Sequence, residues 1–266
     1  MADSPAILVI FAALFGLLLG SFLNVCIYRI PRDLSVVLPR SFCPACEKGI
    51  AWYDNVPVFS FLYLRGQCRY CRHAIGWRYP LVEITTAVCF ALVVAEYGWN
   101  AAALKWALFE AIMVALFWTD LEERILPDEL TIGGTVAGML LAFFVPVPGP
   151  FGAWLLSSMH PAYLSLLNSA AAAGVLTLPI AFVAWLYSRV RHREGLGLGD
   201  LKLLLLLGVF LGIEDGIRAL LIASIAGSVI GIAYVLIARK EASSYQLPFG
   251  TFLCAGGAIL PLIHRL

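Results

Sequence analysis

Apolar residues in this chain gather into long runs separated by short polar segments. The runs at 6–27, 80–97, 101–118, 131–147, 166–187, 201–213, 216–238 and 247–263 have the character of bilayer spans, which as helices need roughly 17–25 residues. The sixth is short, and with the last it is the weakest of the eight. Only 29–79 forms a sizeable stretch without such a run. No low-complexity segment and no convincing internal repeat stands out. The pattern predicts an all-α polytopic membrane protein of about eight transmembrane helices with one small loop domain.

Composition strengthens this picture. Of 266 residues, 61% are hydrophobic and 13% charged, whereas a soluble domain averages about 25% charged. The formal net charge of +1 gives no reason to expect a nucleic-acid partner. Residues 1–5 lack the basic start of a cleaved signal peptide.

The distribution of charge predicts orientation, because cytoplasmic loops retain lysine and arginine. With the N-terminus outside, the inner segments are 28–79, 119–130, 188–202 and 239–246, and they carry 15 of the 18 basic residues. Lys105, Arg218 and Arg265 fall on the other side.

Residues 29–79 contain Cys43-Pro44-Ala45-Cys46 and Cys68-Arg69-Tyr70-Cys71, two C-x2-C pairs separated by 21 residues. This spacing is a zinc signature, and four thiolates suit a closed structural site. A segment of this size builds little core, so a metal staple would replace burial. Free thiols and disulfides are the other readings, and a reducing cytosol argues against disulfides. Cys26, Cys89 and Cys254 lie inside apolar runs and read as small core residues. Gly16, Gly20 and Ser21 form a packing stripe on the first helix, with Asn24 as an interhelical hydrogen-bonding group. Glu83 follows Pro80 at a helix start, where the helix dipole accounts for it, and it is also a candidate to meet a basic peptide.

Two aspartates carry the candidate chemistry. Asp120 closes the run ending Phe117-Trp118-Thr119, and Asp200 opens another after Gly195, Gly197 and Gly199. Carboxylates beside lipid are costly and mark function or a buried partner. Two of them sharing a proton supply both the base that activates water and the acid that protonates a leaving amide. Gly197 and Gly199 are expected to supply unusual backbone angles, close approach for an extended substrate, and room for the first turn of the sixth span to face the third. Taken singly, each aspartate also reads as a helix-end charge, Asp200 as an N-cap. Asp128 is the reserve carboxylate, ahead of Glu122, Glu123 and Glu129.

These residues, in order, closely resemble the bacterial type IV prepilin peptidases, bifunctional leader peptidases and N-methyltransferases of the GxGD class of membrane aspartic proteases. The resemblance rests on Gly20-Ser21-Phe22-Leu23-Asn24-Val25, the two cysteine pairs around Trp52-Tyr53-Asp54-Asn55, Arg78-Tyr79-Pro80 through Glu83, Asp120 through Pro127-Asp128, Gly197-Leu198-Gly199-Asp200 and Pro248-Phe249-Gly250. It implies that Asp120 and Asp200 are the catalytic dyad and that Cys43, Cys46, Cys68 and Cys71 hold the metal, which their spacing reads as zinc. It also implies prepilins of type IV pili or pseudopilins of type II secretion as substrates. Their basic leader is removed at the cytoplasmic face of the inner membrane, and the new N-terminus is methylated from S-adenosylmethionine. The domains so expected are a first transmembrane helix at 1–28, a cytoplasmic zinc-type domain at 29–79 and a transmembrane aspartic peptidase domain at 80–266. No stretch matches a glycine-rich cofactor fold, so the methyl-donor site is unassigned, with 29–83 the preferred region. The rival readings are a presenilin-like GxGD protease, a proton-coupled transporter using the aspartates, and a zinc-stapled scaffold. The cysteine-bearing loop weighs against the first, and that loop with the lack of an inverted repeat against the second.

Overall fold

The computed structural model describes residues 6–150, 160–192, 196–238 and 248–263. Arg193, Gly195, Arg239, Lys240, Leu247 and Arg265, all used in the charge, glycine or span readings, lie outside them. Eight α-helices are present among the described residues: α1 (Ala6–Arg29), α2 (Phe59–Tyr63), α3 (Arg78–Tyr97), α4 (Ala101–Glu123), α5 (Asp128–Phe144), α6 (Pro161–Arg191), α7 (Leu198–Ala238) and α8 (Phe249–Ile263). Two 3-10 turns, Ile30–Arg32 and Trp52–Asn55, sit in the long loop.

Every expected span falls on a helix, but not as eight separate ones. The sixth and seventh, 201–213 and 216–238, are one continuous element, α7, bent at Gly212 with φ +81°. A Cβ at Gly212 would meet the Pro148 carbonyl oxygen at 2.9 Å, so glycine is required twice over, for the angle and for the approach. Five described helices are long and apolar enough to cross a membrane: α1 extended to Arg32, α3, α4, α6 and α7. Their outward faces are apolar. On α1, Ile7, Ile10, Phe11, Leu14, Phe15 and Leu18 are all more than half exposed, a surface that water would disfavour and lipid accepts. The protein is a multi-pass membrane protein.

The chain divides into two compact units, Met1–Ala115 and Leu116–Leu266, and the division falls within α4. In the first unit, α1 and α3 pack along the small-residue stripe. A Cβ at Gly16 would lie 2.7 Å from Cα of Ala87, and one at Gly20 would lie 2.7 Å from Cα of Glu83. Backbones this close give the dispersion contacts that replace the hydrophobic effect between helices in lipid. Asn24 adds the interhelical hydrogen bond expected of it, donating to the Tyr79 carbonyl at 3.1 Å. Buried Arg29 ends α1 by donating to the carbonyls of Ser35 and Pro39, which folds the following loop back on the helix end.

In the second unit, α7 packs against α5, α6 and α8. Gly208 comes within 2.6 Å of Ala173 by the same measure, and Gly138 lies against Phe210. The core is a run of α7 leucines, Leu203, Leu204, Leu206 and Leu207, all fully buried. His160 proves to be the cap of α6, its Nδ1 accepting from Ala162 N–H.

Candidate active site and cysteine cluster

In the second unit, Asp120 lies one turn inside the end of α4 rather than at its last residue, and it is buried. Its Oδ2 accepts two hydrogen bonds from Thr251, from the backbone N–H at 2.5 Å and from the hydroxyl at 2.8 Å. Thr251 stands in the first turn of α8, where backbone N–H groups have no helical partner and the helix dipole favours negative charge. Gly250 makes the approach possible, since a Cβ there would sit 3.0 Å from the same oxygen.

Asp200 lies in the first turn of α7 as its third residue, not at the N-cap. It is half-buried and close enough to Asp120 for the two carboxylate charges to act on one another. Burial sets Asp120 apart from the other nearby acids, and Asp200 is less exposed than Asp128. Asp128 opens α5 with its side chain more than half exposed and accepts an ion pair from Lys202 at 2.5 Å. Lys202 therefore serves Asp128, across 74 positions of sequence.

Of the roles expected of the glycines before Asp200, the structure shows close packing at Gly199 and no unusual backbone angle at either. Among described glycines, positive φ occurs at Gly66, Gly98 and Gly212, not at Gly197 or Gly199. Gly199 is needed for space: a Cβ there would lie 3.1 Å from Cβ of Leu126, the residue that also lies against Gly250. Leu126 is thus packed between the two glycines that flank the carboxylates. Its role, and that of Thr251, went unrecognised in the sequence. Pro248-Phe249-Gly250 was the available signal, a helix opening with glycine at its second residue.

In the first unit, the four cysteine sulfurs lie within 4.8 Å of one another, with Cys43 and Cys71 at 3.8 Å. Four thiolates around zinc at about 2.3 Å in a tetrahedron stand about 3.8 Å apart. The donor set and its spread therefore suit a thiophilic metal. All seven cysteines of the chain are free, and Cys26, Cys89 and Cys254 are buried as expected of core residues.

The two C-x2-C pairs prove to be a structural repeat. Cys43 N–H donates to the Lys48 carbonyl and Glu47 N–H to the Cys43 carbonyl; Cys68 N–H donates to the His73 carbonyl and Arg72 N–H to the Cys68 carbonyl. Glu47 and Arg72, at matching positions, both take positive φ, an uncommon conformation for residues other than glycine. Single bridges, Phe42 to Gly49 and Gln67 to Ala74, close each turn. Backbone N–H groups of Cys71 and Tyr70 directed at the Cys68 sulfur lower its pKa to about 6, so a thiolate ligand is available at neutral pH. Arg69, inside the second pair, grips both oxygens of Asp54 in the 3-10 turn Trp52–Asn55. Bidentate pairing of this kind fixes geometry as well as charge, and it ties the second turn to the segment between the pairs.

Glu83, at the sixth residue of α3, does not cap its own helix. Its Oε2 accepts from Val58 N–H at 2.7 Å, and the carboxylate is also bonded by Ser21. It joins α1, α3 and the loop domain at one point.

Comparison with known proteins agrees with both units. Residues 14–97 match the Bacterial Peptidase A24 N-terminal domain, and residues 107–232 match the Type IV leader peptidase family. The prepilin leader peptidase/N-methyltransferase of Myxococcus xanthus is 38% identical over 85% of this chain, which spans only 63% of that relative. Proteins of the same name from Burkholderia pseudomallei and Pseudomonas putida are 35% and 32% identical. The match covers 93% of this chain and 83% of the Burkholderia protein, and 98% and 93% for the Pseudomonas one. No solved structure matches. With similarity of this extent over both halves, the chain belongs to the type IV leader peptidase family.

Proposed function

We propose that Asp120 and Asp200 are the catalytic dyad of a membrane aspartic endopeptidase that removes the leader of prepilins. The observation that carries this reading is the pairing of two burial-shielded carboxylates at the ends of α4 and α7, one of them gripped by the first turn of α8. Two such groups cannot both hold full charge at short range, so one proton is shared between them. The ionised member takes a proton from water, which attacks the scissile carbonyl carbon. The protonated member donates to the amide nitrogen as the C–N bond breaks. Thr251 holds Asp120 in place, and Leu126 keeps the backbones around the pair at fixed distance.

The relatives' names join cleavage to N-methylation, and both activities are assigned to this chain. Prepilins are the substrates, and pseudopilins of type II secretion are included by the same chemistry: a basic leader in water and an apolar helix in lipid. The excess of lysine and arginine in the segments around both aspartates supports a cytoplasmic face for the reaction and an external N-terminus. Cys43, Cys46, Cys68 and Cys71 fit a structural zinc ion by donor type and by spacing. S-adenosylmethionine, when bound, supplies an electrophilic methyl group on a sulfonium centre.

The test uses the full-length enzyme in detergent with a prepilin substrate. Asp120→Asn and Asp200→Asn are each expected to reduce leader removal by at least a thousandfold while the protein still inserts and purifies. Cleavage at the wild-type rate by either variant would end the dyad assignment.

A further inference from the structure

The first unit encloses a cavity of about 380 Å³ that the peptidase chemistry does not use. Its walls come from three sources. Asn24 and Tyr28 of α1 form one side, Tyr79 and Glu83 of α3 another, and both cysteine turns close it, with Cys43 and Cys68 in the lining. Pockets for drug-sized ligands run from about 300 to 1,000 Å³ and are mostly apolar with a few placed polar groups. This one has that character: aromatic and aliphatic walls, three basic side chains and two acidic ones, Asp54 and Glu83.

The two acids are not equivalent. Both oxygens of Asp54 are taken by Arg69. Glu83, buried, receives only the neutral dipoles of Val58 N–H and Ser21. It is therefore the lining carboxylate that no cation among the described residues pairs with, and a cationic ligand is the natural complement. A second polar group in the lining is left over. Asn24 spends its amide N–H groups on the carbonyls of Gly20 and Tyr79, and its buried Oδ1 has no hydrogen-bond partner among the described residues. Lys48, also in the lining, is suited to a ligand carboxylate.

A carboxylate without a counter-ion, an orphan acceptor, a lysine and aromatic walls together describe a zwitterionic ligand with a surplus positive charge and a flat ring. We propose that this cavity holds the methyl donor, with Glu83 facing its positive charge and Gly76 leaving the space it fills. The proposal rests on the assignment of N-methylation to this chain. In the transfer, the lone pair of the new pilin N-terminus bonds to the methyl carbon. The C–S bond breaks with its electron pair returning to sulfur, leaving a neutral thioether, and a proton of the original ammonium passes to water.

Gly76 offers a clean test. It lines the cavity, and a Cβ added there meets nothing within 4 Å, so Gly76→Leu fills the space without straining the fold. Binding of S-adenosylmethionine and of S-adenosylhomocysteine to full-length enzyme in detergent would be measured by calorimetry, with prepilin cleavage assayed on the same preparations. Gly76→Leu is expected to weaken both ligands at least tenfold. Glu83→Gln is expected to weaken S-adenosylmethionine at least tenfold and the uncharged-sulfur product less, so that the preference between them falls. A first-unit thermal midpoint equal to wild type shows in each case that the fold around the cavity is intact, and prepilin cleavage within threefold of wild type shows the same for the second unit. Wild-type affinity for S-adenosylmethionine in either variant overturns the proposal. Wild-type enzyme that cleaves prepilin but binds neither ligand and transfers no methyl group would instead remove the N-methylation reading beneath it.

Discussion

The cysteine cluster of the first unit and the carboxylate pair of the second are held by opposite means. The cysteines sit on two irregular turns, each closed by a few backbone hydrogen bonds and a strained residue, Glu47 or Arg72. Nothing there resembles a core. Trp52, Tyr63 and Trp77 around these turns are half or more exposed. The carboxylates instead sit on ends of long helices whose own packing is dense, beside fully buried Leu203 and Leu204. Asp120 is positioned by a helix terminus rather than by a loop. A loop domain that cannot bury itself depends on a metal for its shape. A helix-end site depends on packing and on single hydrogen bonds. The two candidate sites are therefore expected to fail separately.

The largest expected effect is on the first unit. Structural zinc contributes on the order of 10 kcal/mol to small domains built around it. Cys43→Ser should abolish metal content by elemental analysis and methyl transfer by mass spectrometry of the pilin N-terminus, while leader removal persists. Simultaneous loss of both activities would break the comparison, because it would make the cysteine turns part of the peptidase.

In the second unit, Thr251→Ala removes one hydrogen bond to Asp120 but leaves the backbone N–H. A hydrogen bond to a charged group contributes about 1.5–3 kcal/mol, so cleavage should slow by about tenfold or more. Thr251→Ser should restore it, and metal content should not change. An unchanged cleavage rate in Thr251→Ala would show that the amide alone positions Asp120.

Gly20→Ala probes the close contact of α1 with α3. The added methyl meets Cα of Glu83 at 2.7 Å, an overpacking cost of about 1–3 kcal/mol. It should lower the thermal midpoint of the first unit and weaken methyl-donor binding, with cleavage within threefold of wild type. The smallest effect belongs to Lys202→Met, which breaks an exposed pair with Asp128. Such pairs contribute about 0–1 kcal/mol, and cleavage should stay within threefold. A hundredfold loss would move Lys202 or Asp128 into the catalytic set.

Much of this was open to reading in the linear pattern because membrane helices announce themselves by length and polarity. The apolar runs fall on helices, with the sixth and seventh joined in α7, and the small-residue stripe Gly16–Gly20 and the Asn24 bond between helices appear where the pattern put them. The cysteine pairs were legible for a similar reason: a fixed short spacing encodes a fixed local turn. The repeat of hydrogen bonds across the two turns was not, since Pro44-Ala45 and Arg69-Tyr70 share no side-chain chemistry while their backbones follow one path. Gly197 and Gly199 left two readings open for the converse reason. Glycine signals either an unusual angle or a near neighbour, and only the position of Leu126 distinguishes them.

By itself, the sequence determined the helical membrane architecture, the metal-type cysteine set and the candidacy of Asp120 and Asp200, because each follows from local composition or spacing. Only the tertiary structure decided that Thr251 grips Asp120 from 131 positions away, that Lys202 pairs with Asp128, and that Glu83 lines a cavity beside the cysteine turns. Those contacts join residues distant along the chain, and which distant groups meet is set by helix packing rather than by any local signal.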